Sequence, residues 1–301
     1  MHIAVTGSSG FIGSALVNAF TASRHRVTRL VRSQPPAGSG AVAWDPSSGL
    51  ESVSGLEGVE AIVHLAGENL ASGRWTSEKQ DAIRDSRVLG TRRLCESLTH
   101  LSVPPSTLVC ASAIGYYGNR GDERLTEASA SGTGFLAEAC REWEAACQPA
   151  LQRGLRVVHI RLGMVLSPTG GAMARLLLPF RLGVGGRLGR GTQWMSWIAL
   201  DDVIGSVAHV LSTPALRGPV NLTTPNPVTN REFTATLGRV LRRPTVVPAP
   251  AFALRLALGP MADDLLLAST RVLPSVLLAS QYAFRFPQLE GALRYLLAIP
   301  T

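Results

Sequence analysis

Residues 2–16 read HIAVTGSSGFIGSAL, and the interpretation of the whole chain turns on this stretch. A short apolar run, His2 to Val5, meets glycines at 7, 10 and 13, and a helix-compatible run follows from Phe11 to Ala22. The spacing G-x-x-G-x-x-G directly after a strand and at the opening of a helix is a phosphate-binding turn. Backbone N–H groups at a helix start point outward without intrahelical partners, and the helix dipole favours negative charge there. Gly7, Ser9, Gly10, Phe11, Ile12 and Gly13 are therefore expected to cradle a pyrophosphate, with Gly13 also allowing close packing of helix on sheet. The alternative, a tight strand-to-helix turn without a ligand, has less to recommend it, because strand, turn, helix and second strand follow in the required order.

The second strand-like run ends at RLVRSQP. A dinucleotide site that binds free ribose hydroxyls carries an acidic residue there, about 20 residues beyond the glycines. Arg32 stands in that place, followed by Ser33. A guanidinium offers a planar fork of donors suited to a ribose 2′-phosphate, so the expected cofactor is NADP(H). The competing reading is a surface arginine in an arginine-rich chain.

Further apolar runs, AVAW, AIVHLAG, TLVCASA and RVVHIRLG, alternate with helical patterns over 76–100 and 133–152. Continuous apolar strands separated by helices predict a Rossmann-type, doubly wound parallel sheet covered on both faces, with right-handed crossovers. After residue 166 the pattern loosens into a Gly-rich stretch. Asp202 is expected to cap the helix that follows WMSWIAL, Thr229 or Asn230 the next one, and the tail 249–301 is expected to be mostly helical. Residues 1–166 with about 196–228 are expected to form the nucleotide-binding domain. Residues about 167–195 with 229–301 would form a smaller mixed α/β substrate lobe.

Bulk properties exclude several classes. The 301 residues are 46% hydrophobic and 17% charged, as in a globular protein. The first residues lack a basic segment followed by an apolar block, and in the most apolar region, residues 249–279, Arg255, Asp263, Asp264 and Arg271 keep the uncharged pieces well short of the roughly 20 apolar residues of a bilayer span. The expectation is a cytoplasmic protein with no membrane partner. The net charge of +8 comes from 28 arginines and one lysine, Lys79, against 21 acidic residues. The arginines are scattered without interleaved aromatics, which does not describe a nucleic-acid surface. Cys95, Cys110, Cys140 and Cys147 form no C-x-x-C pair, so reduced core thiols are expected and no metal. A small-molecule substrate is the expected partner, and homodimerisation stays open.

TGSSGFIG resembles the T-G-x-x-G-x-x-G turn of extended short-chain dehydrogenases/reductases. AIVHLAG looks like their fourth strand, which implies that Leu65, Ala66 and Gly67 lie along the cofactor. SRVLGTRRL is similar to their N-V-x-G-T helix with Arg87 in place of asparagine, ASAIGYYG to their S-S-x-x-x-Y-G strand end, and SWIALDDVIG to their D-D-V step. GENLASGRWTSEKQDAIRDSRVLGT, GFLAEACREWEAA and GGAMARLLLPFRLGVGGRLGRGTQWMSWI resemble one atypical branch, the NAD(P)-dependent epimerase family of 39U type. VPAPAFALRLALG and VLPSVLLASQYAFRFPQLEGALR echo its C-terminal module. The resemblance covers nearly the whole chain. It implies a two-lobe NADP(H)-binding fold with a substrate cleft between lobes, and no particular substrate.

One departure matters for chemistry. The superfamily usually moves protons with a Tyr-x-x-x-Lys helix, in which the ammonium lowers the phenol pKa. Four residues after Tyr116, Tyr117, Tyr282 and Tyr295 stand Arg120, Gly121, Phe286 and Ile299, so the dyad is absent. The equivalent helix offers Phe135 and Leu136, then Ala139 and Cys140. Ser112 and Tyr117 are the substitute catalytic candidates. Each has a packing role as its alternative, and Ser112 sits one residue before the usual hydroxyl position, which falls on Ala113. Arg87 can approach the cofactor or an anionic substrate, or pair on the surface; Lys79 and the acids of 138–144 are expected to be solvated. Gln193 and Trp194 are the substrate candidates, against a joining role for the tryptophan, and Trp197 is expected in the core. Two functions fit. One is an NADP(H)-dependent oxidoreductase or epimerase acting on a carbonyl, alcohol or nucleotide-linked substrate; the other is a non-catalytic NADP(H)-binding sensor or scaffold.

Overall fold

The computed structural model describes residues 1–36, 38–50 and 53–299. The elements in the first part of the chain are β1 (His2–Thr6), α1 (Phe11–Ala22), β2 (Arg26–Val31), β3 (Ala41–Asp45), β4 (Gly49–Leu50), β5 (Ala61–His64), α2 (Ser77–Thr99), β6 (Thr107–Ala113) and β7 (Arg124–Leu125). Next come α3 (Phe135–Ala145), α4 (Gln148–Gln152), β8 (Arg156–Leu162), β9 (Met164–Leu166), α5 (Gly171–Arg181), β10 (Trp194–Met195), β11 (Trp197–Ala199) and α6 (Leu200–Ser212). The chain ends with β12 (Gly218–Leu222), β13 (Val228–Thr229), α7 (Asn230–Leu241), α8 (Ala251–Leu258), β14 (Arg271–Val272), α9 (Ser275–Ala279) and α10 (Leu289–Leu296).

Eight strands form one sheet in the order β12-β8-β6-β5-β1-β2-β3-β4. The pairs β1–β2, β1–β5, β2–β3 and β5–β6 are parallel, and the short β4 returns antiparallel to β3. This is the expected doubly wound sheet. Its middle strands are buried along their whole length, as expected when helices cover both faces: every residue of β1 and β5 is buried.

The chain divides into two compact units. The first holds Met1–Ser112, Glu138–Ile160 and Val207–Pro219; the second holds Ala113–Ala137, Arg161–Ser206 and Val220–Thr301. The second unit has its own core, in which Met173, Leu177 and Phe180 of α5 pack with Trp197, Phe233, Leu237 and Leu293. Trp197 is fully buried, as its sequence context suggested.

Three local expectations change. The helical run 133–152 splits at residues 146–147. Pro149 has no N–H to continue the ladder, so α4 restarts with proline in its first turn. The Gly-rich stretch after 166 contains α5, whose apolar residues at 173, 177 and 180 have helical spacing. Asp202 is not a cap. α6 begins at Leu200, two residues earlier, and the buried Asp202 carboxylate instead accepts the backbone N–H groups of Arg285 (2.7 Å) and Phe286 (2.9 Å). Thr229 does cap α7, in a reciprocal capping box with Glu232.

A buried polar chain ties the first unit together. The Thr6 hydroxyl, at the end of β1, accepts the N–H groups of Leu65 (3.0 Å) and Ala66 (3.2 Å). Its own proton therefore points at His64 Nδ1, 2.7 Å away. That leaves the ring proton on Nε2, which donates to Thr91 Oγ1 of α2 at 2.9 Å, and Trp143 Nε1 of α3 donates to the same oxygen at 2.9 Å. Thr6, His64 and Thr91 are fully buried. His64 is thus a packed strand-end histidine, and burial holds its ring neutral down to about pH 4.

The unfolded ring protonates near its ordinary value of 6.5, whereas the folded ring does so only at about 4. Between those values the unfolded state binds a proton that the folded state refuses, so stability falls as pH drops through this window. The loss is roughly 3 kcal/mol. Denaturant melts at pH 7 and pH 4 should show the wild type losing about that much more than His64→Gln, which has no titrating ring at this position. An equal loss in both would mean that the ring is solvated.

Candidate functional site

The turn between β1 and α1 has the geometry of a ligand cradle. Gly7 has φ +63°, and a Cβ there would stand 2.9 Å from the Leu65 carbonyl carbon. A Cβ on Gly13 would stand 2.1 Å from the Gly7 oxygen. No side chain fits at either place, so the turn lies tight against the exit of β5. Gly10 caps α1 without any side-chain hydrogen bond, and no acidic residue lies in the first turn. Ser9 and Gly10 are exposed, with Phe11 and Ile12 half-buried. The helix dipole and its leading amides thus face outward with nothing of the chain's own to neutralise them. A pyrophosphate fits these residues.

Two arginines flank this turn from β2. Arg32 is exposed just past the strand end, where the sequence placed it. Arg29, which the sequence reading passed over, reaches back so that its Nε donates to Ser8 Oγ at 3.4 Å. Its signal was present in the alternation of β2, which puts Arg29 on the face opposite the buried Thr28 and Leu30.

Beyond β5 the chain runs through the half-buried Leu65 and Ala66 to the exposed Gly67. Arg87 is not a surface ion-pairing residue. Its guanidinium lies against Gly67, where a Cβ would be 3.3 Å from its central carbon. It donates to the carbonyls of Ile83 and Glu68, at 3.0 Å each, and sits 5.1 Å from the centre of the Trp143 ring. Desolvation lowers its pKa; a guanidinium nevertheless stays charged at any physiological pH. Lys79 is not solvated either. Its side chain is 16% exposed, paired with Glu68 and hydrogen-bonded to Ser72 Oγ at 2.7 Å. The chain's one lysine therefore stands at the residue following Gly67.

Ser112 lies near the end of β6, two residues past the His64–Cys110 pair that aligns β5 with β6. It is 2% exposed, and its hydroxyl donates to Glu144 Oε1 of α3 at 2.7 Å. Glu144 is thereby distinguished from Glu142, which pairs with Arg84 on the surface. Trp143 anchors α3 in the core through Thr91. The four cysteines are buried and unbridged, and burial among neighbouring thiols raises the pKa of Cys95 and Cys147, which leaves them inert as nucleophiles.

Tyr117 belongs to the second unit, Ser112 to the first. The Tyr117 ring is fully buried; its hydroxyl donates to Asn221 Oδ1 (2.7 Å) and accepts from Arg161 Nη1 (2.9 Å). Burial raises its pKa, with the Arg161 charge opposing. Arg161 is itself buried and lies 3.5 Å from the centre of the Tyr116 ring. In the same unit Gln193 lines a cleft of about 550 Å³ together with Asn119, Asp122, Arg190 and Ser269. Gln193 Nε2 donates to the carbonyls of Leu188 (3.1 Å) and Leu266 (3.0 Å). Trp194 follows it, with its indole N–H on Asp122 Oδ1 (2.6 Å) and the Arg271 guanidinium 3.9 Å from its ring centre. Asp122 and Arg271 were not apparent from sequence, since they lie 72 residues before and 77 after the tryptophan.

Comparison with known proteins agrees with this geometry. Residues 3–222 match the NAD dependent epimerase/dehydratase family, and residues 249–296 match a domain of unknown function. An epimerase family protein of Mycobacterium bovis is 45% identical over 293 residues, covering 97% of this chain and 96% of that protein. The crystal structure of human epimerase family protein SDR39U1 with NADPH superposes with a TM-score of 0.89 at 34% identity, over 99% of both chains. A nucleoside-diphosphate sugar epimerase from Corynebacterium glutamicum gives a TM-score of 0.80 at 38% identity, over 99% of this chain and 58% of that one. With a glycine turn closed to side chains, an uncapped first helix and no Tyr-x-x-x-Lys pair, this chain belongs to the NAD-dependent epimerase/dehydratase family, in the branch of the SDR39U1-type epimerase family proteins.

Proposed function

We propose that the protein binds NADP(H) at the β1–α1 turn and is an oxidoreductase or epimerase acting on a carbonyl, alcohol or nucleotide-linked substrate. The observation that carries the cofactor reading is the uncapped start of α1, in a turn closed at two positions where only glycine fits, Gly7 against the exit of β5 and Gly13 against Gly7. Arg32 at the end of β2, with Arg29 beside Ser8, supplies charge for the 2′-phosphate, and the human relative's structure with NADPH supports that choice. The bound nicotinamide supplies hydride transfer. Leu65, Ala66 and Gly67 form its floor, and Arg87 braces Gly67 from behind.

Proton movement falls to Ser112 and Glu144 in this reading. A proton arriving at the Ser112 oxygen can pass along the 2.7 Å hydrogen bond to the carboxylate. Tyr117 has a positioning role: with its hydroxyl held between Arg161 and Asn221, it supports the Tyr116 ring. Gln193 and Trp194 orient substrate, the clamped indole serving as a stacking surface.

A second reading, a sensor or scaffold that binds NADP(H) without turnover, is favoured by one observation. The helix position that carries phenol and ammonium elsewhere offers Leu136 and Cys140 here. Following cofactor absorbance across a panel of carbonyls and alcohols separates the two, since tight NADPH binding without turnover on any of them supports the sensor.

Two variants test the assignments. Calorimetry on Arg32→Asp should show NADPH bound about tenfold to a hundredfold more weakly, the worth of a charge-assisted hydrogen bond, with NADH little changed. Equal losses for both nucleotides would contradict the 2′-phosphate assignment. For the proton path, Ser112→Ala and Glu144→Gln should each cut kcat by about a hundredfold or more while leaving the NADPH Kd unchanged. Full kcat in both variants would route the proton elsewhere.

A further inference from the structure

Residues 145–301 carry sixteen arginines, no lysine and six acidic residues, a net charge of +10, whereas residues 1–144 sum to −2. Within the second unit the excess is narrower still. The stretches 168–200 and 233–262 hold eight arginines and no acidic residue. They run side by side: the Gly189 N–H donates to the Ala249 carbonyl, the Ala249 N–H to the Arg187 carbonyl, and Pro244 lies against Gly183.

Along this strip large apolar side chains stand in the open. Leu178 and Leu182 at the end of α5 are 65% and 69% exposed, Val246 and Val247 before α8 are 79% and 50%, and Phe252 and Leu256 on α8 are 71% and 76%. The helical pairs are four residues apart and so share a face, and α8 buries none of its residues. Arg181, Arg187, Arg242 and Arg243 are exposed and have no ion-pair partner among the described residues. A cleft of about 230 Å³ opens between Arg187 and Arg231, lined also by Thr234, Thr245, Val246 and Pro248.

Charge decides what can cover this face. Arg255 pairs with Asp263 and Arg239 with Glu290, and a second copy would set the remaining arginines of two such strips against each other without carboxylates to pair them. Along the strip guanidiniums alternate with separate apolar knobs. That alternation suits a bilayer, where apolar side chains sit at the headgroup–acyl boundary and arginines meet lipid phosphates. No described helix is long and apolar enough to cross a membrane, and lying on one requires none. We propose that this face docks the protein on an anionic lipid bilayer, with the cleft between Arg187 and Arg231 receiving a phosphate headgroup.

Flotation of the full chain with phosphatidylcholine vesicles, and with vesicles containing about a third phosphatidylglycerol, tests this. The protein should float with the anionic vesicles alone and be released by high salt. The double variants Phe252→Ser with Leu256→Ser, and Arg187→Glu with Arg231→Glu, should each lower vesicle affinity about tenfold or more, with circular dichroism and NADPH binding unchanged. No flotation at low salt overturns the proposal. So does undiminished binding by the serine variant, which would mean adsorption by net charge only. A wild-type dimer that the serine variant splits would assign the face to a second copy, and capture by polyglutamate without vesicle binding would assign it to an acidic protein; either outcome also overturns it.

Discussion

The closeness of Gly7 to the exit of β5 is the constraint on which the first unit depends. A Cβ at Gly7 would stand 2.9 Å from the Leu65 carbonyl carbon, and the neighbouring Thr6 hydroxyl takes both amides that leave β5. The glycine turn and the segment Leu65–Gly67 are therefore one rigid piece rather than two loops that meet when a ligand arrives. Rigidity continues through His64 and Thr91 to Trp143, so α2 and α3 are referenced to the same point. A buried polar chain of this kind is stable only when every member is satisfied, and here each oxygen and ring nitrogen has a defined donor or acceptor role. The cofactor site is in this way ordered before binding, which spares the ligand the entropy of arranging it.

Arginine does much of the positioning near that site, and its chemistry limits what it can do. Arg87 presses on Gly67 and grips two carbonyls. It cannot give up a proton at physiological pH, so it can orient and attract but not act as acid or base. The one lysine is committed to Glu68 and Ser72, and the Tyr117 phenol is enclosed between Arg161 and Asn221. Within the first unit, Ser112, near the end of β6, the strand next to β5, donates its hydroxyl proton to the Glu144 carboxylate.

Much of this was legible in the sequence, and the failures share a cause. The glycine turn, the parallel strands and the absent dyad are local patterns, and local spacing carries them. Trp197 was read as core correctly because large apolar side chains seldom have another place to go. Glu144 was read as one of several solvated helix acids, since nothing in a helix carrying charges at 138, 141, 142 and 144 says which one faces a strand residue 32 positions away. Asp202 was assigned to a cap for the same reason. Its partners, the amides of Arg285 and Phe286, lie more than 80 residues on, and an aspartate near a helix start ordinarily means a cap. Lys79 was misjudged because long basic side chains look alike in sequence whether their heads meet water or a carboxylate.

The two candidate sites are built by different physics, which bears on how each can change. In the first, backbone amides and glycine shape do the work, so most side-chain substitutions around the turn leave the cradle standing. In the second, the candidate surface is built from side chains that fix one another. Asp122 holds the indole N–H of Trp194, Arg271 covers one ring face, and the Arg271 Nε is buried without a hydrogen-bond partner. The guanidinium is thus oriented by the ring it lies on, and a planar ligand has only the opposite face of the indole to use. Gln193 spends both amide protons on the carbonyls of Leu188 and Leu266, so what it can offer a ligand is an acceptor oxygen, not a donor. A substrate that pairs with this surface must bring its own hydrogen-bond donor beside a flat group, a requirement that follows from the clamp rather than from the cofactor.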